Sequence, residues 1–175
     1  LWTARGLALR GMGRQKESLQ SFERALQMDG KFVPALKAAA EVAYQVRDSR
    51  TAAFLTSVLE LEPANETAHA MAGVLAYEAR NCESAVTHFE QAGGQVETNE
   101  LAASQFGDCL LRMGRPERAA AVLERFVAAA PDSRNGRYNL AVAQLEARRP
   151  GAAIVTLEPL ASDAEALNLL AAAQR

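Results

Sequence analysis

The chain has 175 residues, 49% of them hydrophobic and 23% charged, with a formal net charge of −2; that is enough for one ordinary domain or a run of short repeats sharing a core, and too apolar for wholesale disorder. This balance supplies no basic field to draw in a phosphate backbone, so no nucleic-acid partner is expected. No apolar run reaches the roughly 18 to 20 residues that a spanning helix needs, so no membrane insertion is expected.

Gly6, Ser18 and Phe22 open a pattern that the chain then repeats: a small residue, an Ala or Ser about three helical turns on, and an aromatic residue or Leu one turn beyond that. Gly73, Ala85 and Phe89 form a second set, Gly107, Ala119 and Leu123 a third, and Ala141, Ala153 and Leu157 a fourth. The step from Gly73 to Gly107 equals the step from Gly107 to Ala141, whereas the gap from Gly6 to Gly73 is almost twice as long. That gap holds one further unit, centred on Ala40 with Thr51, Ala52 and Leu55 in its second half, and one residue short. A period of this size is the mark of a repeat architecture.

Inside each period the apolar residues recur at helical spacing, as in Leu36, Ala39, Ala40 and Ala43 or Ala103, Phe106, Gly107 and Leu110. In chain order the pattern predicts helix pairs over about 1–12 with 15–28, 34–46 with 50–61, 66–79 with 82–92, 99–112 with 116–129, and 134–147 with 151–160, then an eleventh helix over about 163–173. Gly13 and Gly114 fall where a first helix stops. Pro34, Pro116 and Pro150 fall at helix starts, where a missing N–H costs nothing. Pro63 and Pro131 close second helices, and Gly93-Gly94 closes another. Asn65, Asn81 and Ser162 are candidate N-caps, Ser162 with Glu165 forming a capping box. Nothing reads as a strand.

With these residues in place the chain resembles a tetratricopeptide repeat (TPR) array, whose signature runs W-x2-L-G-x2-Y, then A-x3-F, then P. Trp2 and Gly6 match its opening, Ala85 and Phe89 its middle, and Gly107, Leu110, Gly114, Ala119 and Pro131 make the fourth unit the fullest copy. Gly30 stands where Pro is usual, and Arg47, Arg80 and Arg148 replace the turn Gly. The resemblance implies an all-α, right-handed superhelical solenoid of antiparallel helix pairs, of bacterial type, forming a single domain over residues 1–175. Its repeats run about 1–32, 33–65, 66–99, 100–133 and 134–162, with a partial sixth at 163–175. The small residues Gly6, Ala40, Gly73, Gly107 and Ala141 then mark where the helices of each pair cross closely.

In such arrays the first helices face a concave wall that binds peptides or partner proteins, which makes a protein-interaction scaffold the expected function. Carried over position by position, that wall comprises Thr3, Leu7 and Arg10; Lys37, Glu41, Tyr44 and Gln45; Ala70, Val74 and Tyr77; Ser104, Asp108, Leu111 and Arg112; and Tyr138, Asn139, Val142 and Leu145. All three tyrosines are among them, either stacking on a ligand or covering seams between neighbouring first helices. A repeated Lys and Asn clamp for a C-terminal carboxylate is missing, since Ala70, Ser104 and Tyr138 follow Lys37 at the matched places.

Catalysis finds no foothold: "RGMGRQKES" at Arg10 to Ser18 lacks P-loop spacing, and His69 and His88 have no acidic partner at metal-site spacing. No enzyme activity, cofactor or metal is expected. Cys82 and Cys109 read as reduced, partly buried fillers, the sharper alternative being a Cys82–Cys109 bridge in a secreted setting, where the Asn65-Glu66-Thr67 triplet would also gain meaning. The compartment stays open between cytoplasm and periplasm. Two other functions remain alternatives: the substrate-selecting region of a larger enzyme such as a glycosyltransferase, or a structural part of a bacterial envelope secretion or assembly complex. The apolar residues Leu167, Leu169 and Leu170 near an uncapped end are expected to form a patch for self-association.

Overall fold

A computed structural model describes residues 1–160 and 164–173. Among them are twelve α-helices: α1 Trp2–Gly11, α2 Gln15–Met28, α3 Val33–Gln45, α4 Thr51–Leu61, α5 Glu66–Glu78, α6 Cys82–Gln91, α7 Gly94–Thr98, α8 Glu100–Arg112, α9 Pro116–Ala129, α10 Arg134–Glu146, α11 Pro150–Leu157 and α12 Ala164–Ala173. The described residues contain no strand, and no helix among them is long and apolar enough to cross a membrane. The fold divides into two compact units, Leu1–Ala72 and Gly73–Arg175.

In the first unit α1 pairs with α2 and α3 with α4, while α2 and α1 both pack on α3. Phe22, fully buried, is held with Leu19, Ala39, Val42 and Ala43 in one cluster. In the second unit α8 pairs with α9 and α10 with α11, and α6 and α10 pack against α8. Contacts therefore run between sequence neighbours, as a stacked repeat requires.

The small residues sit at the crossings. A Cβ added to Gly6 would lie 2.5 Å from the Phe22 ring, one on Gly73 2.6 Å from Phe89, and one on Gly107 2.8 Å from Leu123. Ala40 and Ala141 hold the same register, followed by the smaller Leu55 and Leu157 in place of Phe, all four buried. Ser18 takes the Ala position in the first repeat without penalty, because its buried hydroxyl donates to the Gly6 carbonyl at 2.8 Å. A second column of small residues lies five positions earlier, at Ala35, Ala68, Ala102 and Gly136. There a Cβ on Gly136 would meet Phe126 of α9 at 2.5 Å, which brings α10 close to the preceding second helix.

The turns follow one conformation whatever residue occupies them. Gly13 and Gly114 have φ of 74° and 69°, and Arg47, Arg80 and Arg148 have 54°, 59° and 56°. For a side chain this region costs about 1–2 kcal/mol, and glycine in its place loses about 0.5–1 kcal/mol through the freer unfolded chain. Each Arg→Gly change at these turns is therefore expected to stabilise by roughly 0.5 kcal/mol. A urea titration of the triple variant should show a higher midpoint at unchanged slope; a lower midpoint would refute it.

Capping is as expected where it is described: Asn65 Oδ1 accepts from the Ala68 amide at 2.9 Å and Asn81 Oδ1 from Ser84 at 3.0 Å. Asn99 and Ser133 cap α8 and α10 in the same way. The Ser162 cap lies outside the described residues. Pro34, Pro116 and Pro150 each stand in the first turn of a helix.

Between α3 and α4, Asp48 receives the Arg50 amide at 3.0 Å and Arg50 Nε at 2.8 Å. The Arg50 side chain first, then its amide, pull the Asp48 carboxyl from 3.8 to about 2. A lowered carboxyl contributes stability above its ordinary range and loses it as pH falls through the folded value. The stability difference between wild type and Asp48→Asn should accordingly close as pH drops from about 4 to about 2; a difference that persists at the lower pH would show that the charge is irrelevant.

Three expectations need correction. The segment after Gly93 is not a plain connection: Gly93 turns at φ 52° and α7 follows, because buried Val96 packs it onto the α8–α9 pair. The helix expected over 151–160 stops at Leu157 and continues as a 3-10 turn, Glu158–Leu160, since Pro159 has no N–H to extend it. Cys82 and Cys109 are not separate thiols: they are joined in a disulfide with Cα atoms 5.1 Å apart. Of the leucines expected to form a patch, Leu169 is partly buried against the cluster of Ala141, Ala153 and Leu157, and Leu167 is half exposed; the Leu170 side chain lies outside what is described.

Candidate binding surface

Several of the residues expected on the concave wall are joined by bonds between first helices, and one kind of bond recurs at the same register in each unit. In the first unit Arg10 of α1 donates to Glu41 of α3 at 2.6 Å. In the second, the Tyr77 hydroxyl of α5 donates to Asp108 of α8 at 2.9 Å, with Arg112 3.7 Å from the same carboxylate oxygen. Tyr77 follows Arg10 by the same interval that separates Asp108 from Glu41 and Gly73 from Gly6, so these are the same rung, met again two repeats later. The next equivalent positions, Leu111 and Val142, carry apolar side chains. A second kind of rung joins α10 to α8, where Asn139 donates to Ser104 at 3.0 Å.

These are half-exposed contacts, each worth about 0.2–1 kcal/mol. Burial first, and then the Asp108 carboxylate, hold the Tyr77 hydroxyl above the usual tyrosine range, so it remains a donor. Tyr77 is thus a seam residue through its hydroxyl, while its ring is only half buried.

The remaining positions divide by exposure. Thr3, Lys37, Tyr44, Leu111, Tyr138, Val142 and Leu145 are half buried; Leu7, Gln45 and Arg112 are exposed. Ala70 and Val74 are buried and back the surface without presenting atoms to it. Lys37 is paired with Glu62 at 3.1 Å, and Glu62 is held below the ordinary carboxylate range by Asn65 first and then by Lys37.

Sequence reasoning did not single out Glu100. It receives Ser133 Oγ at 2.6 Å and Asn135 at 2.9 Å, which lower its carboxyl and tie the start of α8 to the start of α10. The second helices carry ion pairs of their own: Glu23 with Arg50 in the first unit, and Glu90 with Arg118 and Glu124 with Arg149, the last at 3.1 Å, in the second. The three glutamates occupy one register, each equally far along the chain from its crossing glycine, Gly6, Gly73 or Gly107. Beside the pair of Glu90 and Arg118, α7 borders a cleft of about 380 Å³ reaching Val96, Phe106 and Val122. Nothing in the repeat pattern signals α7 or this cleft. Among the described residues, no group of three His, Cys, Asp or Glu side chains could hold a metal ion.

Two tetratricopeptide repeat family models match the chain, over residues 1–32 and 105–161. The chain is a tetratricopeptide repeat protein. The turn arginines and the missing Pro at Gly30 are thus departures within the family. No curated protein sequence matches it. Solved structures match it in fold at low identity: MamA at 14% identity and a TM-score of 0.76, over 96% of this chain and 89% of that one; YrrB, described as a TPR protein with an unusual peptide-binding site, at 18% and 0.75, over 96% and 84%; and PilW, described as a widely conserved type IV pilus biogenesis factor, at 21% and 0.68, over 99% and 84%. At these identities the likeness establishes the fold, a TPR solenoid of antiparallel helix pairs.

Proposed function

We propose that this TPR protein is a protein-interaction scaffold that holds a peptide or partner segment against the face formed by its first helices. The observation that carries the reading is the ladder on that face. Within each unit, polar side chains of that face are bonded to one another at the same register, which favours a surface that needs little further ordering on binding. The half-exposed rings of Tyr44, Tyr77 and Tyr138 supply apolar area along it. YrrB, which shares the fold, is described by its peptide-binding site.

In a pull-down with the chain immobilised, Tyr44→Ala with Tyr77→Ala is expected to lower partner recovery at least tenfold against wild type. Tyr77→Phe, which removes only the hydroxyl, should keep most of it. Undiminished recovery by the double alanine variant would assign the rings to packing and remove the reading.

A second reading has its own observation, the Cys82–Cys109 disulfide. Such bonds persist in oxidising compartments and are rare in the cytosol. This favours a place in a bacterial envelope assembly complex, a setting compatible with the fold likeness to PilW. Alkylation of acid-quenched cells tests it: two unreactive cysteines support an oxidising compartment, and two labelled thiols count against it.

A further inference from the structure

The seam between α6 and α8 is held near both ends of α6. Towards the end of α6 the Phe89 ring meets Phe106 with centroids 5.5 Å apart; at its start the disulfide joins Cys82, the first residue of the helix, to Cys109 of α8. That bond lies close to the Tyr77 rung. Cys109 follows Asp108 directly, and Cys82 follows the turn in which the Arg80 amide donates to the Tyr77 carbonyl at 2.8 Å and the Asn81 amide to the Ala76 carbonyl at 2.9 Å. The turn itself is not packed, since Glu78, Ala79, Arg80 and Asn81 are all exposed.

The repeat does not require this bond. The matching positions are Gln15 and Val42 in the first unit, and Pro116 and Ala143 further along the second, none of which carries sulfur. Val42, Cys109 and Ala143 are all fully buried, so a reduced Cys109 fills its place as an ordinary small apolar residue. Cys82 is only half buried.

We infer that the Cys82–Cys109 bond is a redox-operated clasp on the candidate binding face, opened by a dithiol that attacks Cys82 and, once open, releasing Tyr77 from Asp108 while the repeats stay folded; its bearing on binding rests on the proposed groove function. Access sets the direction of attack. A thiolate of the dithiol reaches Cys82 Sγ, whereas Cys109 has no exposed surface. The new sulfur–sulfur bond forms at Cys82, the Cys82–Cys109 bond breaks, and Cys109 leaves with the electron pair and takes up one proton. The second thiol of the dithiol then displaces Cys82, which takes up the other proton. The dithiol ends oxidised and the protein holds two thiols. With the clasp open, α6 stays docked through Phe89, but the start of α6 and its turn are joined to α8 by a half-exposed hydrogen bond that is weak alone.

The chain has 3 tyrosines, so ¹³Cζ-tyrosine labelling gives one resonance per ring, that of Tyr77 being the one absent from Tyr77→Phe. Burial first, and then Asp108, raise the Tyr77 hydroxyl, so opening should lower its titration midpoint. Cys82→Ser with Cys109→Ala, the permanently open form, is expected to titrate at Tyr77 about half a pH unit or more below wild type, with its helical circular-dichroism signal retained. At neutral pH a small dithiol should shift the wild-type Tyr77 resonance to the position it has in that variant, an oxidised dithiol should return it, and Tyr44 and Tyr138 should stay in place. The thiol left by Cys109→Ala should react with an aromatic disulfide about tenfold or more faster than the thiol left by Cys82→Ser. An unmoved Tyr77, loss of helix or movement of all three rings on reduction, or equal reactivity of the two thiols would each overturn the clasp. The tyrosine pull-down reads the groove separately, so partner loss there beside an unmoved Tyr77 removes the clasp and leaves the scaffold standing.

Discussion

Gly73→Ala is expected to destabilise the protein by about 1–3 kcal/mol, as overpacking of a tight core does, and Phe89→Leu alone by about 1–2 kcal/mol through lost ring contacts. The double variant should cost less than their sum by about 1 kcal/mol or more. The added Cβ would sit 2.6 Å from the Phe89 ring, which is fully buried and leans on Phe106 with centroids 5.5 Å apart, so the ring has nowhere to retreat. Changing both residues recreates the combination the fifth repeat already uses, Ala141 with Leu157. Gly107→Ala should be milder, because the atom in its way is a terminal methyl of Leu123 that can rotate. Urea titrations of wild type, both single variants and the double variant measure the coupling. Strictly additive losses would mean that the two positions do not share one crossing.

Removing the disulfide is expected to have an effect of similar or greater size. Cys82 begins α6 and Cys109 lies towards the end of α8, with a sequence separation of 27 between them. Chain-entropy arguments assign a loop of that length about 3–4 kcal/mol. Cys82→Ser with Cys109→Ala, or reduction by a dithiol, should lower stability by roughly that amount. The loss should fall on the second unit first, since the bond ties the start of α6 to α8 there. Hydrogen exchange resolves it: amides of α6 and α8 should lose protection more than those of α2 and α3. Uniform loss, or none, would show that the bond adds nothing to local order.

How much of this was legible in the sequence depends on whether the signal was periodic. Gly6, Gly73 and Gly107 could be found because each recurs with its packing partner a fixed distance on, and the turn conformation could be placed at Arg47, Arg80 and Arg148 because Gly13 and Gly114 hold the same register. What broke the period was missed. The helix α7 rests on a single buried apolar residue, Val96, which no neighbouring repeat duplicates. The α11 helix follows the period until Pro159 interrupts it, a local effect that repeat matching averages away. The bridge between Cys82 and Cys109 occurs only once along the array, so only three-dimensional proximity could choose it over two reduced thiols. Gly136 escaped for a different reason. Its equivalents Ala35, Ala68 and Ala102 are ordinary helix formers, and nothing but the bulk of Phe126 reveals the column they form.

The candidate wall was legible as a set of positions and not as a set of bonds. Helical register places Tyr77 and Asp108 on facing sides of neighbouring helices, but whether a hydroxyl meets a carboxylate depends on rotamers that spacing does not encode. The burial of Ala70 and Val74 was hidden because helical spacing does not say how closely a neighbouring helix covers a small side chain.

The recurrence of a bonded rung at a two-repeat interval makes that pair of repeats an exchangeable cassette. Excising residues 11–77 would bring Arg10 opposite Asp108, cation to carboxylate, and leave no partner of the missing stretch stranded on that rung. Duplicating the same stretch would place Tyr77 opposite the copied Glu41, hydroxyl to carboxylate, and so add one more rung of the same kind.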